Sequence, residues 1–414
     1  MIVSSSRATR QWAVVVVLAL ACLLAPVTAD PVAADAAAAV RGKVRGEIIQ
    51  SKGSPAPKIK MQWFDRNWKF LGARKVAGGV YSLSLPEGKY YLQFVDQRPS
   101  YDVTKAAPAD VTVKIQAGRT VTRTVRMRRG AAIGGTVKAG GKVSPGATVI
   151  AANTNQQSYT SKANDKGQYA LGGLPAGNYS IFTYERKKQW VGKSIYLPKV
   201  KAGQFRNVNP ALTKRGGKLS VDLYAGDKPF KGSGSVTAVS RATGQFWTAR
   251  ISRGTVLFQG LYQGGYYLEV PGSGNYLSAR VGLRNKVRPG RVTFSSAALK
   301  KRGGWVTGFV VDEYDPSFSL KGARVRLYDE SGALRDTATS RGDGSFLLDG
   351  QLLTGSYTVV ADPGEASGGY LGEEPHRCLY GSERISNVKI TTGRGTDVGE
   401  VPLEPAPGQE KCNS

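Results

Sequence analysis

The chain has 414 residues, 58 Lys and Arg against 30 Asp and Glu, and a formal net charge of +28. It contains one histidine, His376, which excludes a histidine-based catalytic triad or a multi-histidine metal site within one chain. The charge leaves two interpretations open: a surface that binds an anionic polymer, or a basic surface that only keeps the protein soluble.

The N-terminus is typical of a secretory signal peptide. Arg7 and Arg10 supply positive charge, residues 12–25 form an apolar run, and residues 27–29 end in a small-x-small pattern. The run is shorter than the roughly 20 apolar residues that a membrane-spanning helix needs. We therefore predict export, with no integral membrane span in the mature chain and a secreted or envelope-associated product.

Cleavage is predicted between Ala29 and Asp30, so that the signal peptide covers residues 1–29 and an Ala-rich spacer covers residues 30–40. Two alternatives stay open. The segment could remain as an uncleaved membrane anchor, or Cys22 could carry a lipid, although the residues before it form a poor lipid-attachment sequence.

After the spacer, one segment of about 89 residues recurs four times. Its signature is a tyrosine two positions after a glycine, and the four glycines are 89, 87 and 91 positions apart. The motif occurs at Gly88-Lys89-Tyr90, Gly177-Asn178-Tyr179, Gly264-Gly265-Tyr266 and Gly355-Ser356-Tyr357. A fixed period over most of a chain indicates a tandem array, and it leaves no stretch for a separate catalytic domain.

Basic junctions keep the same period and mark the predicted domain boundaries. They are Arg128-Arg129-Gly130, Lys214-Arg215-Gly216 and Lys301-Arg302-Gly303. We predict four domains and a tail: repeat 1 (residues 41–130), repeat 2 (131–216), repeat 3 (217–303), repeat 4 (304–404) and residues 405–414.

Each repeat has the pattern of short β-strands. Residues 59–64 and 323–328 alternate apolar with polar side chains, the period of a strand with one buried face. Corners containing Gly or Pro interrupt such runs every ~8–12 residues, and no stretch has helical spacing with caps. The sequence therefore predicts an all-β fold, a tandem array of four antiparallel β-sandwich domains after a signal peptide.

Charge is distributed unevenly along the array. Repeats 1, 2 and 3 carry 19, 13 and 14 Lys and Arg against 6, 2 and 3 Asp and Glu, whereas residues 304–414 carry 10 against 17. The candidate polyanion-binding residues are the basic side chains of the junctions: Arg128, Arg129, Lys214, Arg215, Lys301 and Arg302. Their expected partner is an anionic cell-wall polymer or polysaccharide, with nucleic acid and the outer membrane face as alternatives.

Removal of the signal peptide would leave two cysteines, Cys378 and Cys412. An even number of cysteines in an exported protein favours a disulfide bond. Such a bond would tie the C-terminal tail to repeat 4, and two free thiols are the alternative.

Repeat 4 contains four strand motifs in order: Gly308-Phe309-Val310-Val311-Asp312, Gly322-Ala323-Arg324-Val325, Asp343-Gly344-Ser345-Phe346 and Gly355-Ser356-Tyr357-Thr358. This series, which repeat 2 matches over residues 165–179, resembles the carboxypeptidase regulatory-like domain and the B-type repeats of collagen-binding surface proteins. The resemblance implies an Ig-like or transthyretin-like sandwich of about seven strands per repeat. Such domains serve as spacers, adhesin stalks and accessory modules of hydrolases, and similar sandwiches include starch-binding modules.

Repeat 4 also contains two clusters of carboxylates, groups that glycosidases use in facing pairs. The clusters are Asp312, Glu313 and Asp315, and Asp343 with Asp349. Because both fall in predicted turns with no cleft-forming domain around them, we expect solvated turn carboxylates, with weak calcium binding as the alternative. No cofactor is predicted.

Aromatic side chains are the candidates for ligand stacking. Tyr90 and Tyr91 are adjacent, and adjacent strand residues point to opposite faces, so we expect one ring in the core and the other outside. Outward rings beside Trp68, Trp190 or Trp247 could stack on sugar rings. The alternative is that these tryptophans complete the core or cover domain joints.

Together these features predict a secreted, non-enzymatic binding or structural protein of the cell envelope or extracellular space, whose basic repeats contact an anionic polymer. One alternative is a carbohydrate-binding accessory protein for starch-like or wall glycans. Another is a glycan hydrolase such as an alpha-amylase, a function easily inferred for such chains from similarity alone; the lack of a stretch for a catalytic domain argues against it. The oligomeric state is left open.

Overall fold

The computed structural model describes residues 41–50, 58–155, 157–364, 368–372 and 377–408. These residues form 37 strands and no helix, which confirms the all-β class. Among them, accordingly, no helix is long and apolar enough to cross a membrane. The chain divides into two compact units, Met1–Arg215 and Gly216–Ser414. The predicted signal peptide, the spacer, His376 and Cys412 lie outside the described residues.

Repeat 1 folds as a β-sandwich of two sheets. Its strands are β1 (Gly42–Gln50), β2 (Ile59–Phe64), β3 (Phe70–Val76), β4 (Val80–Leu85), β5 (Gly88–Asp96), β6 (Ala109–Ile115), β7 (Thr120–Thr122) and β8 (Val125–Met127). One sheet has the order β3-β2-β5-β6, and in the other β1 pairs with β4, β7 and β8. The apolar faces of the two sheets enclose a core that includes Val44, Met61, Leu92, Phe94 and Ile115.

Repeat 2 has the same two main sheets and two small additional ones. Its strands are β9 (Ala131–Thr136), β10 (Lys138–Ala139), β11 (Lys142–Val143), β12 (Thr148–Asn153), β13 (Ser158–Lys162), β14 (Gln168–Leu174), β15 (Gly177–Tyr184), β16 (Trp190–Val191), β17 (Ile195–Val200), β18 (Phe205–Asn207), β19 (Ala211–Leu212) and β20 (Lys214–Arg215). The main sheets have the orders β13-β12-β15-β17 and β14-β9-β18. Their core includes Ile133, Val149, Leu171, Tyr179 and Ile181.

Repeat 3 forms one continuous sheet of eight strands. The strands are β21 (Gly217–Ala225), β22 (Lys228–Pro229), β23 (Ser235–Ser240), β24 (Phe246–Ser252), β25 (Thr255–Leu261), β26 (Tyr266–Val270), β27 (Ala279–Gly282) and β28 (Val292–Leu299). The sheet is continuous because β24 pairs with β23 along most of its length and with β25 at its end. Its buried side chains include Val221, Val236, Phe258, Tyr266 and Leu268.

Repeat 4 returns to separate sheets. Its strands are β29 (Gly304–Asp312), β30 (Arg324–Asp329), β31 (Leu334–Thr339), β32 (Ser345–Leu352), β33 (Gly355–Asp362), β34 (Tyr370–Leu371), β35 (Cys378–Leu379), β36 (Glu383–Ile390) and β37 (Gly395–Leu403). The main sheets have the orders β31-β30-β33-β36 and β32-β29-β37. Their core includes Val306, Leu327, Leu348, Val359 and Val401.

The sequence repeat is therefore also a repeat of strand order. The sheet β3-β2-β5-β6 of repeat 1 corresponds to β13-β12-β15-β17, to the β24-β23-β26-β27 part of the repeat 3 sheet, and to β31-β30-β33-β36. Parallel pairings also occur: the first strand of each repeat lies parallel to a strand near its end, β1 to β7 and β8, β9 to β18, β21 to β28 and β29 to β37. Parallel neighbours need a long crossover connection, and here the whole repeat supplies it.

The Gly-x-Tyr signature closes the turn before the central strand of each repeat. The tyrosine hydroxyl donates a hydrogen bond to the carbonyl oxygen four residues earlier: Tyr90 to Pro86 (3.1 Å), Tyr179 to Pro175 (2.6 Å), Tyr266 to Tyr262 (2.6 Å) and Tyr357 to Leu353 (2.9 Å). The glycine of the motif takes a positive φ at Gly88 and Gly177 (156° and 157°), a conformation that favours glycine. The motif is thus a structural requirement of the fold.

Adjacent repeats within unit 1 are joined by direct backbone contacts. The loop between β5 and β6 contacts repeat 2, where Gly172 N–H donates to Ser100 O (2.6 Å), and the junction residue Gly130 donates to Lys105 O of the same loop (3.1 Å). A Cβ atom on Gly172 would lie 1.9 Å from Asp102 O, so only glycine fits this approach. In unit 2, the junction residue Gly303 is held within repeat 3, where its N–H donates to the carbonyl of residue 275 (2.7 Å).

Candidate ligand-binding face

The six basic junction side chains are all exposed. Among the described residues, none of the six forms a salt bridge. Two of them contact aromatic rings instead. The Arg215 guanidinium lies 4.3 Å from the Trp190 ring centre, and Arg302 Nε lies 3.3 Å from the Tyr276 hydroxyl. Their role in binding a polyanion stays a prediction.

The carboxylates of repeat 4 serve turns and the core. The prediction that they are all solvated is wrong for Asp312, which is 1% exposed and accepts a hydrogen bond from the Tyr380 hydroxyl (2.8 Å). Asp343 is exposed as expected, and hydrogen bonds from the Ser345 hydroxyl and backbone lower its pKa. No group of three or more His, Cys, Asp or Glu side chains among the described residues could hold a metal ion.

A buried ion pair anchors the loop between β5 and β6. Asp96 Oδ2 accepts hydrogen bonds from Arg98 Nη2 (2.6 Å) and Nε (2.9 Å) and from Ala106 N–H (2.9 Å). Burial alone would raise the pKa of Asp96, but the bonds from Arg98 and Ala106 outweigh burial and hold it below its usual value. Because this loop contacts repeat 2, we assign the ion pair a structural role.

A surface groove of about 730 Å³ lies in repeat 4 beside the turn between β30 and β31. Its wall includes Asp329, whose carboxylate accepts hydrogen bonds from the Ser331 hydroxyl (2.6 Å) and from Arg335 Nε (2.6 Å). Bonds from Ser331, and then from Arg335, hold the pKa of Asp329 below its usual range. This carboxylate is therefore engaged by its own repeat.

The three candidate stacking tryptophans have different environments. Trp247 is buried in the core, with its ring edge-on to Tyr266 at 5.7 Å between centres. Trp190 is half-buried against the repeat 2 core and is covered by Arg215. Trp68 is 53% exposed. Of these three tryptophans, Trp68 alone therefore presents a large ring surface to solvent, and it is the remaining candidate for ligand stacking.

Trp68 belongs to a cluster of four rings that we call the aromatic platform: Phe64, Trp68, Phe70 and Tyr91. The rings of Trp68 and Tyr91 are stacked, with centres 4.2 Å apart and planes 5° from parallel. Phe64 lies against both Trp68 (5.6 Å) and Phe70 (5.8 Å), and Phe70 is 55% exposed. The platform is thus a continuous aromatic surface with two rings open to solvent.

Strand pairing places these rings on one face. Phe64 of β2 is directly opposite Phe70 of β3 and Tyr91 of β5, so all three side chains lie on the same side of the sheet. Their neighbours along the strands, Tyr90 and Leu92, point into the core. The prediction of one inward and one outward ring at Tyr90 and Tyr91 is confirmed, and the aromatic platform lies on the outer face.

Trp68 is held outward by the turn between β2 and β3. Asp65 Oδ1 accepts hydrogen bonds from the backbone N–H groups of Asn67 (2.8 Å) and Lys69 (2.9 Å). The turn gives Trp68 a φ of 61°, in the left-handed region that residues with a Cβ atom avoid. The tryptophan is therefore kept in an unfavourable backbone conformation that orients its ring over Tyr91.

The same turn recurs in repeat 4 with glycine at the strained position. Asp329 Oδ1 accepts from Ser331 N–H (2.9 Å) and Ala333 N–H (3.0 Å), as Asp65 does in repeat 1. The residue equivalent to Trp68 is Gly332, with a φ of 77°. Since glycine adopts this conformation without strain, the fold does not require a tryptophan in this turn.

The other repeats lack the complete aromatic platform. Strand pairing gives the residues equivalent to Phe64, Phe70 and Tyr91 as Ala152, Ser158 and Ser180 in repeat 2, Val239, Phe246 and Tyr267 in repeat 3, and Tyr328, Leu334 and Thr358 in repeat 4. Among the described residues, the four-ring cluster is therefore specific to repeat 1.

Sequence reasoning identified Trp68 and an outward Tyr91 but missed Phe64 and Phe70. A signal for Phe64 was present, because residues 59–64 alternate and place it on the polar side of β2 with Lys60 and Gln62. No comparable signal existed for Phe70. Its position opposite Phe64 depends on a register shift between β2 and β3.

Comparison with known proteins gives distant structural similarities. No family model matches the chain, and no curated protein matches it. The Bacillus anthracis TIE protein is 16% identical, with 89% of this chain and 69% of that chain covered and a TM-score of 0.24. The minor pilin GBS52 of Streptococcus agalactiae is 14% identical, with 46% and 97% covered and a TM-score of 0.21. At TM-scores this low, neither similarity carries a functional argument.

Proposed function

We propose that this protein is a secreted, non-enzymatic binding and structural protein of the extracellular space or cell envelope, whose basic repeats contact an anionic polymer. The proposal rests on how exposed the junction side chains are and on which ion pairs they form. All six basic side chains are exposed, and none forms a salt bridge with a described residue. Charges without acidic partners can neutralise a polyanion and release its counterions.

The proposed organisation is four tandem sandwich domains related to the carboxypeptidase regulatory-like domain. It is supported by the shared strand order and by separate buried cores in repeats 1, 2 and 4. The unit boundary between residues 215 and 216 also coincides with the predicted junction of repeats 2 and 3.

Salt-dependent binding to dextran sulfate tests the proposal. The double substitution Arg128→Gln with Arg129→Gln should weaken binding by about tenfold at low salt and flatten its dependence on salt. The matched control is Arg384→Gln with Lys389→Gln, which removes two exposed charges from the acidic repeat 4. Wild-type binding that is equal at low and high salt would contradict the proposal.

Carbohydrate binding is the second candidate, and the aromatic platform of repeat 1 favours it. Exposed aromatic rings provide flat apolar surfaces on which the C–H face of a sugar ring can pack. A panel of soluble glycans should then quench or shift tryptophan fluorescence in the wild-type protein and less in Trp68→Gly. A glycan-independent spectrum would remove this candidate.

A further inference from the structure

We infer that the outer face of the β3-β2-β5-β6 sheet in repeat 1 binds an acidic polysaccharide, with a sugar ring stacked on Trp68 and sugar carboxylates near lysines of the same face. This inference rests on the proposed polyanion-binding function. It adds to that function a ligand class, acidic polysaccharides, and a binding site in repeat 1 that is separate from the basic junctions.

The backbone at Trp68 is strained. A positive φ costs a residue with a Cβ atom on the order of 1 kcal/mol or more, and such strain tends to cluster at functional sites. In repeat 4 the same turn is formed with Gly332. The strain at Trp68 is therefore not needed to make the turn, and its consequence is an exposed ring above the sheet.

The exposed surface of the aromatic platform has the shape of a single flat ring. Tyr91 covers one side of the Trp68 ring at 4.2 Å, while Trp68 remains 53% exposed. Phe70, which packs on Phe64, continues the apolar surface beside it. This arrangement presents one broad indole face, which matches the flat apolar face of a single pyranose ring.

Polar side chains lie beside the rings on the same face. Gln62 of β2 lies directly opposite Gln93 of β5 on the outer face, one alternating position from Phe64 and Tyr91. Neighbouring amide groups offer both donors and acceptors, as adjacent sugar hydroxyls require. The face therefore combines an apolar stacking surface with a hydrogen-bonding pair.

The outer face of this sheet is positively charged. Its basic side chains are Lys60, Lys75, Lys89 and Lys114, and strand pairing places them on the same side as Phe64 and Tyr91. The acidic residue on this side of the paired strands is Asp110, opposite Gln93. Lys89 Nζ lies 5.2 Å from the centre of the Tyr91 ring. The excess of positive charge beside the rings is complementary to a carboxylated sugar chain rather than a neutral one.

Single-stranded nucleic acid is the competing ligand, because bases also stack on aromatic rings beside basic residues. Such binding uses successive rings for successive bases. Here Tyr91 is already covered by Trp68, and Phe64 lies between Trp68 and Phe70. The arrangement favours one stacked sugar with hydrogen-bonded hydroxyls.

The experiment measures binding of the full mature chain to polygalacturonate, dextran and oligothymidylate at low salt. Polygalacturonate should bind more tightly than dextran, and Trp68→Gly should weaken its binding about tenfold, a change of about 1.4 kcal/mol. Thermal unfolding should change little, because glycine fits this turn. The matched control is Tyr196→Ala, which removes a 62% exposed ring from β17 of repeat 2 and should bind polygalacturonate as the wild type does.

The results distinguish failure of the stacking site in repeat 1 from failure of polyanion binding at the junctions. Equal binding of polygalacturonate by wild type and Trp68→Gly overturns the stacking site but leaves polyanion binding at the junctions intact. Trp68-dependent binding of polygalacturonate retains the site, and it refutes the proposed function only if the Arg128 and Arg129 substitutions leave dextran sulfate binding unchanged. No polygalacturonate binding overturns the inference, and the proposed function fails with it only if dextran sulfate binding is also equal at low and high salt.

Two further outcomes identify a different occupant and overturn the inference. A loss of oligothymidylate binding in Trp68→Gly, with polygalacturonate unaffected, would assign the face to nucleic acid. A molecular mass that rises with concentration in wild type but not in Trp68→Gly, without glycan binding, would assign it to a second copy of this chain.

Discussion

Repeat 1 and repeat 4 build the same four-stranded sheet but give its outer face different properties. In repeat 4, Arg324 and Arg326 both pair with Asp362, and Arg324 occupies the position of Lys60. Two of the basic side chains of that face are thus held in ion pairs within the repeat. In repeat 1 the corresponding face keeps its lysines beside exposed rings. The backbone ladder and the core specify the sheet, while the outer face can vary and carry the function.

The turns beside the two outer faces differ as well. Both use an aspartate side chain to bind two backbone N–H groups, yet one places Trp68 and the other Gly332 at the positive-φ position. A residue that strains a turn is informative when another repeat shows that the strain is avoidable. The comparison therefore points to Trp68 more strongly than its exposure alone.

The largest expected effect concerns the buried acid of repeat 1. Asp96→Ala removes the buried carboxylate that binds Arg98 and the Ala106 N–H, leaves Arg98 only the longer contact with Asp102 as an ion pair (3.4 Å), and should lower the free energy of unfolding of unit 1 by about 3–5 kcal/mol. Asp362→Ala should cost unit 2 only about 1–2 kcal/mol, because its arginine partners are partly exposed. Chemical denaturation measures both losses, and equal losses would contradict this ranking.

Repeat 4 also differs from repeat 1 in its predicted disulfide bond. Cys378 is buried in the core, and a bond to Cys412 would add about 3–4 kcal/mol by the chain-entropy argument. Cys412→Ser should lower the unfolding temperature under oxidising conditions and have no effect after reduction. Thiol labelling of the unfolded, unreduced mature chain checks the bond directly, and two labelled cysteines would refute it.

Alkaline pH should weaken repeat 1 through Tyr81. Burial raises the pKa of Tyr81 to about 12, and its hydroxyl donates to Arg123 O (2.6 Å). Because the folded pKa exceeds the ordinary value of about 10, the stabilisation is complete below pH 10 and is lost as pH rises through about 12. The loss should be on the order of 2 kcal/mol.

The control is Tyr81→Phe, which gives repeat 1 the residue that repeat 4 has at Phe346. The variant should be less stable than wild type at neutral pH, where the hydrogen bond is intact. The difference in unfolding free energy between the two proteins should then shrink between pH 10 and 12. A constant difference across this interval would refute the assignment.

The smallest expected effect is on stability at the two turns. Trp68→Gly should change the free energy of unfolding by less than about 1 kcal/mol, because relief of strain offsets the lost stacking on Tyr91. Gly332→Trp should destabilise repeat 4 by about 1–2 kcal/mol, since Thr358 replaces the tyrosine there. Thermal unfolding of the two variants compares them, and a similar cost for both would contradict strain at Trp68.

Several features were predictable from the sequence because they depend on local alternation and on the repeat period. The all-β class, the strands beginning at Gly88, Gly177 and Gly355, and the opposite orientations of Tyr90 and Tyr91 are of this kind. A period of two assigns each strand residue to one of two faces. This alternation does not identify the strand that lies next to it in the sheet.

The aromatic platform was decided by the tertiary structure. Phe64 and Tyr91 meet because β2 pairs with β5, and Phe70 joins them only through a register shift beside Trp63. The burial of Asp312 likewise depends on Tyr380, which lies far along the chain. Such contacts depend on which strands pair and in which register, and this is decided between residues that are far apart in the sequence. Composition and local pattern describe only residues that are close together along the chain.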